Sequence, residues 1–219
     1  MADSLRTWLI QKRFAVLLIS LLGLALLEPI LASFGFVGAK LLLNIFLTII
    51  LFSSVYAVSQ NRRLFIITLC LGIPAIGFRW VIPFFGSSLA VLLTIQATTV
   101  IFLFVIAGTI LSYVLKHGAV TGEKISASVC VYLLVGLLWA FLYSLTFHLQ
   151  PGSFQLESPQ LSEFVYYSFI TLSTLGYGDI IPLSPPARAL SYVEAITGQL
   201  YLTVLVARLV GLHIAYTKE

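Results

Sequence analysis

The sequence predicts an all-α membrane protein: six spanning helices, with a short re-entrant helix and a glycine-rich loop between the fifth and the sixth. Three observations carry this. Of 219 residues, 60% are apolar and only 9% charged, against about 25% charged in a soluble domain. The apolar residues fall into six runs long enough to cross a bilayer as helices, and such unbroken runs are not the alternating strands of a barrel. A seventh apolar stretch, 162–173, is too short to cross and leads directly into Thr174-Leu175-Gly176-Tyr177-Gly178-Asp179.

Residues 1–13 are polar and basic and read as a cytoplasmic segment. The first span runs from Phe14 to Phe34, broken only by Glu28-Pro29, and a Gly-rich turn leads to the second, Leu41 to Ser59. Basic Gln60-Asn61-Arg62-Arg63 connects to the third, Leu64 to about Phe85. Gly72, Pro74, Gly77 and Pro83 there predict a kinked or frayed far end. The fourth span, Leu89 to Leu115, carries no charged residue. These four form a unit over 14–115, followed by a cytoplasmic linker, 116–124. A second unit follows over 125–214: helix 125–148, a polar loop, short helix 162–173, loop 174–179 and helix 187–214. Ser162 is the expected N-cap of the short helix, with Glu163 in its first turn. Residues 215–219 read as a cytoplasmic tail.

Orientation follows from basic residues. With a cytoplasmic N-terminus, Arg6, Lys12, Arg13, Arg62, Arg63, Lys116, Lys124 and Lys218 lie inside, and Lys40, Arg79 and Arg188 lie outside. That asymmetry obeys the positive-inside rule and puts the glycine-rich loop on the outer side of the plasma (inner) membrane. The net charge of +4 bears on orientation and gives no sign of a nucleic-acid partner. Cys70 and Cys130, each inside an apolar segment, read as small core residues. No cleavable signal is evident, and no ligand-binding domain is expected within these residues.

The loop after the short helix suits chemistry done by backbone carbonyls. A dehydrated alkali cation needs oxygens in place of its water shell, and inward-turned carbonyls supply them. Aiming successive carbonyls alike requires alternate left-handed residues, and Gly176 and Gly178 adopt that conformation without steric cost. Thr174 can add a hydroxyl oxygen at the inner end. Tyr177 is expected as a rigid spacer packed against the surrounding helices, and Asp179 places a negative charge at the mouth.

This stretch resembles the selectivity filter of the potassium channels of the tetrameric pore-loop superfamily, and the resemblance extends over about 125–213. Leu175 stands where Val or Ile is usual. The resemblance implies a homotetramer in the lipid bilayer, K+ held by the carbonyls of 174–178, no other cofactor and no enzymatic activity. Tyr166 and Tyr167 resemble the paired aromatics that form a cuff around the filter. Ile170 stands where some members carry a bracing acid. Gly198 matches the inner-helix hinge in its spacing from Asp179 and is assigned to it, with a close helix crossing as the alternative reading of a glycine there. The family pattern then assigns Gln199, Leu202, Val206 and Val210 to the cavity. Glu194, an acid inside a span, is functional by default; it either braces the short helix or draws cations into the cavity.

Six spans with the pore between the last two resemble voltage-gated channels, but the fourth span lacks gating charge. The sequence therefore predicts a voltage-independent channel of prokaryotic type. The alternatives are a non-selective cation channel and, from another class, a transporter, although no internal repeat is present. Within the four-helix unit, Glu28, Arg79 and Gln96 lie about 9–10 Å from the outer ends of their spans and Asn44 about 6 Å from its own, at 1.5 Å rise per residue. These four are predicted to form a structural polar cluster, with outward snorkelling of Glu28 and Arg79 as the competing arrangement.

Overall fold

A computed structural model describes residues 13–33, 39–58, 62–85, 89–116, 118, 120–156 and 160–217. The helices are α1 (Arg13–Ser33), α2 (Ala39–Val58), α3 (Arg62–Phe85), α4 (Leu89–Val114), α5 (Gly122–Leu149), α6 (Leu161–Leu172) and α7 (Pro185–Thr217). Among the described residues, α4, α5 and the 185–212 part of α7 are long and apolar enough to cross a membrane, while α1, α2 and α3 hold shorter apolar stretches over 14–27, 44–56 and 65–77. The expected N-terminal segment falls outside the described residues except for Arg13, as do Lys218, Glu219 and the side chains of Glu28 and Arg79.

The helix starts follow local chemistry. Thr121 is extended (φ −101°, ψ 157°), and its hydroxyl accepts from the Lys124 N–H at 3.3 Å. This N-cap starts α5 at Gly122, three residues before the predicted boundary. Helix α7 begins at Pro185, because proline fits a first turn where its N–H is not needed, and the Ser184 hydroxyl accepts from the Ala187 N–H at 3.3 Å. The expected Ser162 cap of α6 is corrected. The cap is Gln160, whose side chain does not cap the helix, and the Glu163 N–H closes the first turn onto the Gln160 carbonyl at 3.2 Å. That backbone bond places Ser162 already inside the helix. Helix α3 runs past Pro74 and Pro83 to Phe85, so the expected fraying is absent from its backbone.

One core joins α1, α2, α4 and α5 through Leu17, Ile50, Phe102, Ile106 and Leu134, all at most 1% exposed. The first four helices thus share a core with α5 of the same chain. In hydrocarbon such contacts gain from close packing rather than from exclusion of water. Large apolar side chains such as Ile19, Phe52 and Phe104 are exposed on the outer faces of this bundle, as a lipid-facing surface requires. Cys130 is buried, but Cys70 is exposed, so the reading of two core cysteines holds for one of them.

A second core sits behind α6 and is aromatic: Trp139, Tyr143, Phe154, Phe164 and Tyr167. The Tyr143 and Tyr167 rings meet edge to face, 5.0 Å between centroids at 69°, as ring quadrupoles prefer. The polar loop closes over this cluster. Gln155 N–H bonds the Ile181 carbonyl at 2.9 Å and Leu183 N–H bonds the Ser153 carbonyl at 2.8 Å, so the chain leaving the loop is paired with the chain entering α6. At the opposite end of the bundle, Arg208 on α7 meets the end of α4. Its guanidinium donates to the Leu115 carbonyl at the end of α4, where a cation complements the helix dipole.

Candidate functional site: the loop between α6 and α7

Helix α6 ends at Leu172 and hands the backbone to the loop through its own last turn. Leu175 N–H and Gly176 N–H both bond the Ile170 carbonyl, at 2.8 and 3.1 Å. Ile170 therefore touches the loop through its main chain, with its side chain 7% exposed in the aromatic cluster. Thr174, Gly176 and Gly178 then have φ of +59°, +53° and +79°. Every second residue is left-handed, and no other residue of 174–179 has positive φ. Thr174 is the one described non-glycine residue in that region, a conformation that costs a Cβ-bearing residue on the order of 1–3 kcal/mol unless its surroundings hold it there.

Residues 173–179 are all exposed on the single chain. Tyr177 is 69% exposed on the single chain. Tyr166 and Tyr167 turn to different partners. Tyr166 reaches the loop, its hydroxyl donating to Asp179 Oδ2 at 2.6 Å. Tyr167 turns inward, its hydroxyl 2.7 Å from Ser191 Oγ on α7.

The Tyr166 hydrogen bond, with help from the Ile180 N–H at 3.1 Å, holds the Asp179 carboxyl below its ordinary value. A depressed carboxyl keeps its charge as pH falls through the usual range and loses it only below. Tyr166→Phe removes the first cause, so the Asp179 carboxyl should lose its charge at a higher pH than in the wild type. Titration of the Asp179 carboxyl followed by NMR measures this; superimposable curves would contradict it.

Glu194 is fully buried. Its Oε1 lies 2.5 Å from Ser168 Oγ on α6, and its Oε2 accepts from the Tyr143 hydroxyl on α5. Ser168 Oγ is also 2.7 Å from the Gly136 carbonyl. One carboxyl group thus ties α7 to the back of α6 and to α5. Sequence reasoning missed Ser168 and Tyr143. The available signal was a small hydroxyl in the otherwise apolar middle of α6, which needs a buried partner.

Gly198 sits where α7 crosses the end of α6. A Cβ there would lie 2.2 Å from the Leu172 carbonyl oxygen, so this position is a close contact, within a helix that continues unbroken on both sides. The next residue, Gln199, places Nε2 3.2 Å from Thr174 Oγ1. Leu202, Val206 and Val210 follow at helical spacing and are exposed on the single chain. Of the predicted polar cluster, Glu28 and Arg79 lie outside the described side chains. Asn44 is half-buried on α2. Gln96 turns to α5, donating to Ser144 Oγ at 2.8 Å and lying 3.4 Å from His148 Nδ1. No group of three or more potential metal-ligating side chains occurs among the described residues.

Residues 127–213 match the ion channel family, an interval that begins in α5, contains α6 and the loop, and ends in α7. The chain is 33% identical over 101 residues to Two-pore potassium channel 4 of Arabidopsis thaliana, an alignment covering 43% of this chain and 35% of that protein. The chain thus spans about a third of the length of the curated relative it matches. No solved structure matches the chain. Both matches are to channels, in agreement with the resemblance carried by the Thr174–Asp179 loop, and neither is to an enzyme.

Proposed function

We propose that this chain, an integral membrane ion-channel protein through its residues 127–213, assembles as four copies around one axis and conducts K+ passively through the loop 174–179. The observation that carries the reading is the left-handed backbone at Thr174, Gly176 and Gly178. Alternation of this kind turns successive carbonyls toward one side, and four such edges facing an axis replace the hydration shell of a potassium ion. A single chain offers one edge, and its loop is exposed on that edge, which fits a site completed by neighbouring copies. Helix α6 directs its C-terminal end toward the loop, where the partial negative charge favours a cation. Retention of Tyr177 and Asp179 supports selectivity for K+ over Na+.

The remaining architecture follows from the same reading. Helices α1–α5 and α7 each cross the bilayer, α6 re-enters, and both termini are cytoplasmic. Helix α4 has no acidic or basic residue. A charge crossing the field is worth about 2.3 kcal/mol per 100 mV, so α4 gives voltage nothing to act on and opening is voltage-independent.

Purified protein in planar bilayers under opposing K+ and Na+ gradients tests the function. The reversal potential should lie near that of K+, the current should be blocked by Ba2+, and open probability should be flat in voltage. A reversal potential near zero under equal and opposite gradients would establish a non-selective pore instead.

A further inference from the structure

The selectivity loop is touched from the side of α7 by one polar side chain, and the contact depends on a missing Cβ. Gly198 lets α7 press against the Leu172 carbonyl. That approach carries Gln199 to the inner end of the loop, with Nε2 3.2 Å from Thr174 Oγ1. Thr174 is held left-handed at this point and is exposed, as is Gln199. A primary amide that donates through its nitrogen still presents its carbonyl oxygen, with two lone pairs, from the same planar group. A threonine hydroxyl that accepts one bond keeps a second lone pair. The inner end of the loop thus holds the Thr174 hydroxyl oxygen and, joined to it by a hydrogen bond, an amide group whose own oxygen can serve as a second neutral ligand, in a segment otherwise followed by Leu202, Val206 and Val210.

We propose that Gln199 is a specificity-determining residue of this pore: its amide oxygen and Thr174 Oγ1 together form the innermost cation site, which K+ enters last and where a divalent cation arriving from the α7 side is held. The assignment rests on the channel reading above, because four copies around an axis convert these pairs into a ring. Hard divalent cations favour oxygen ligands and bind more tightly as ligand number and charge rise. Ba2+ block from the α7 side therefore depends on residue 199, while block from the Asp179 side does not.

The experiment uses the full chain in planar bilayers, with BaCl2 added to each side in turn and the K+/Na+ reversal potential read from the same records. Gln199→Glu, nearly isosteric, adds one negative charge per chain and should tighten block from the α7 side at least tenfold. Gln199→Leu should weaken it at least tenfold. Gln199→Asn, which shortens the reach to Thr174 by one methylene, should fall between Leu and wild type. Block from the Asp179 side should change less than twofold in every variant. Equal block from the α7 side in wild type, Gln199→Glu and Gln199→Asn would overturn the assignment even if Gln199→Leu failed to assemble. A non-selective reversal potential in the wild type would instead overturn the potassium reading, while the ratio of block constants still decides the role of Gln199.

Discussion

Gly198→Ala is expected to abolish most ion flux while leaving α7 helical. Alanine is the better helix former by about 1 kcal/mol, so the loss does not come from the helix itself. It comes from the Leu172 carbonyl, 2.2 Å from the new methyl carbon, closer than real Cβ contacts allow. Backbone rather than a flexible side chain stands in the way, so α7 or the end of α6 has to move by most of an ångström. The loop starts two residues after Leu172, and Leu175 and Gly176 hang on the Ile170 carbonyl, so the displacement reaches the ion-binding edge. A misplacement of about 1 Å in a preorganised site costs on the order of 100-fold in function, and a loss of that order is the expected flux ratio in liposomes. A hinge acting only by its flexibility predicts a different outcome: altered open probability with unchanged conductance and selectivity. Single-channel records separate the two, and a full-conductance Ala variant would remove the contact argument.

Glu194→Leu carries the second large effect. The substitution takes an acceptor from Ser168 and from Tyr143; Ser168 keeps the Gly136 carbonyl, while the Tyr143 hydroxyl loses its carboxylate, at a cost of about 1–3 kcal/mol. The tie between α7 and the back of α6 is lost at the same time, so both stability and conduction should fall. Glu194→Gln keeps the shape and one acceptor and should lose clearly less of both. Tyr143→Phe combined with Glu194→Leu removes donor and acceptor together, so the double variant should be more stable than the sum of the single losses predicts. Melting temperatures of the detergent-solubilised protein, with flux measured in parallel, provide the cycle. Strict additivity, or a Leu variant as stable as wild type, would show that the carboxyl group does not brace α6. An acid acting only as a cation attractor predicts reduced current with unchanged melting temperature.

The local pattern of the chain determined a good deal. Apolar runs between short polar connectors located the helices within a few residues, because a segment in hydrocarbon has to satisfy its own backbone. The glycines at 176 and 178 located the left-handed positions, because few other residues adopt them without cost. The third such position, Thr174 at +59°, was not legible, since a threonine is placed there by its surroundings and not by its own preference. Residue 162 was misread as a cap for a related reason: positions 160 and 162 can each start a helix, and the bond from the Glu163 N–H to the Gln160 carbonyl sets the start at the first of them.

Pairings across the chain were decided only in three dimensions. Glu194 stands 26 residues from Ser168 and 51 from Tyr143, and nothing in the spacing of an isolated acid names its partners. Gln96 was placed by depth beside other polar groups, yet depth says nothing about rotation, and its amide faces Ser144 on α5. The two tyrosines at 166 and 167 are adjacent in sequence and point to different partners, because neighbours on a helix are turned by about 100° (3.6 residues per turn). Gly198 is the sharpest case. A glycine in a helix can mark a bend or a close crossing, and one-dimensional information is the same for both. The tertiary structure shows the close crossing, because a carbonyl oxygen occupies the space a side chain would need, and that contact carries Gln199 to the edge of the loop. Sequence thus determined what each segment is made to do, through preferences each residue carries with it; only the fold decided which segments meet, because contact depends on distances that no residue carries alone.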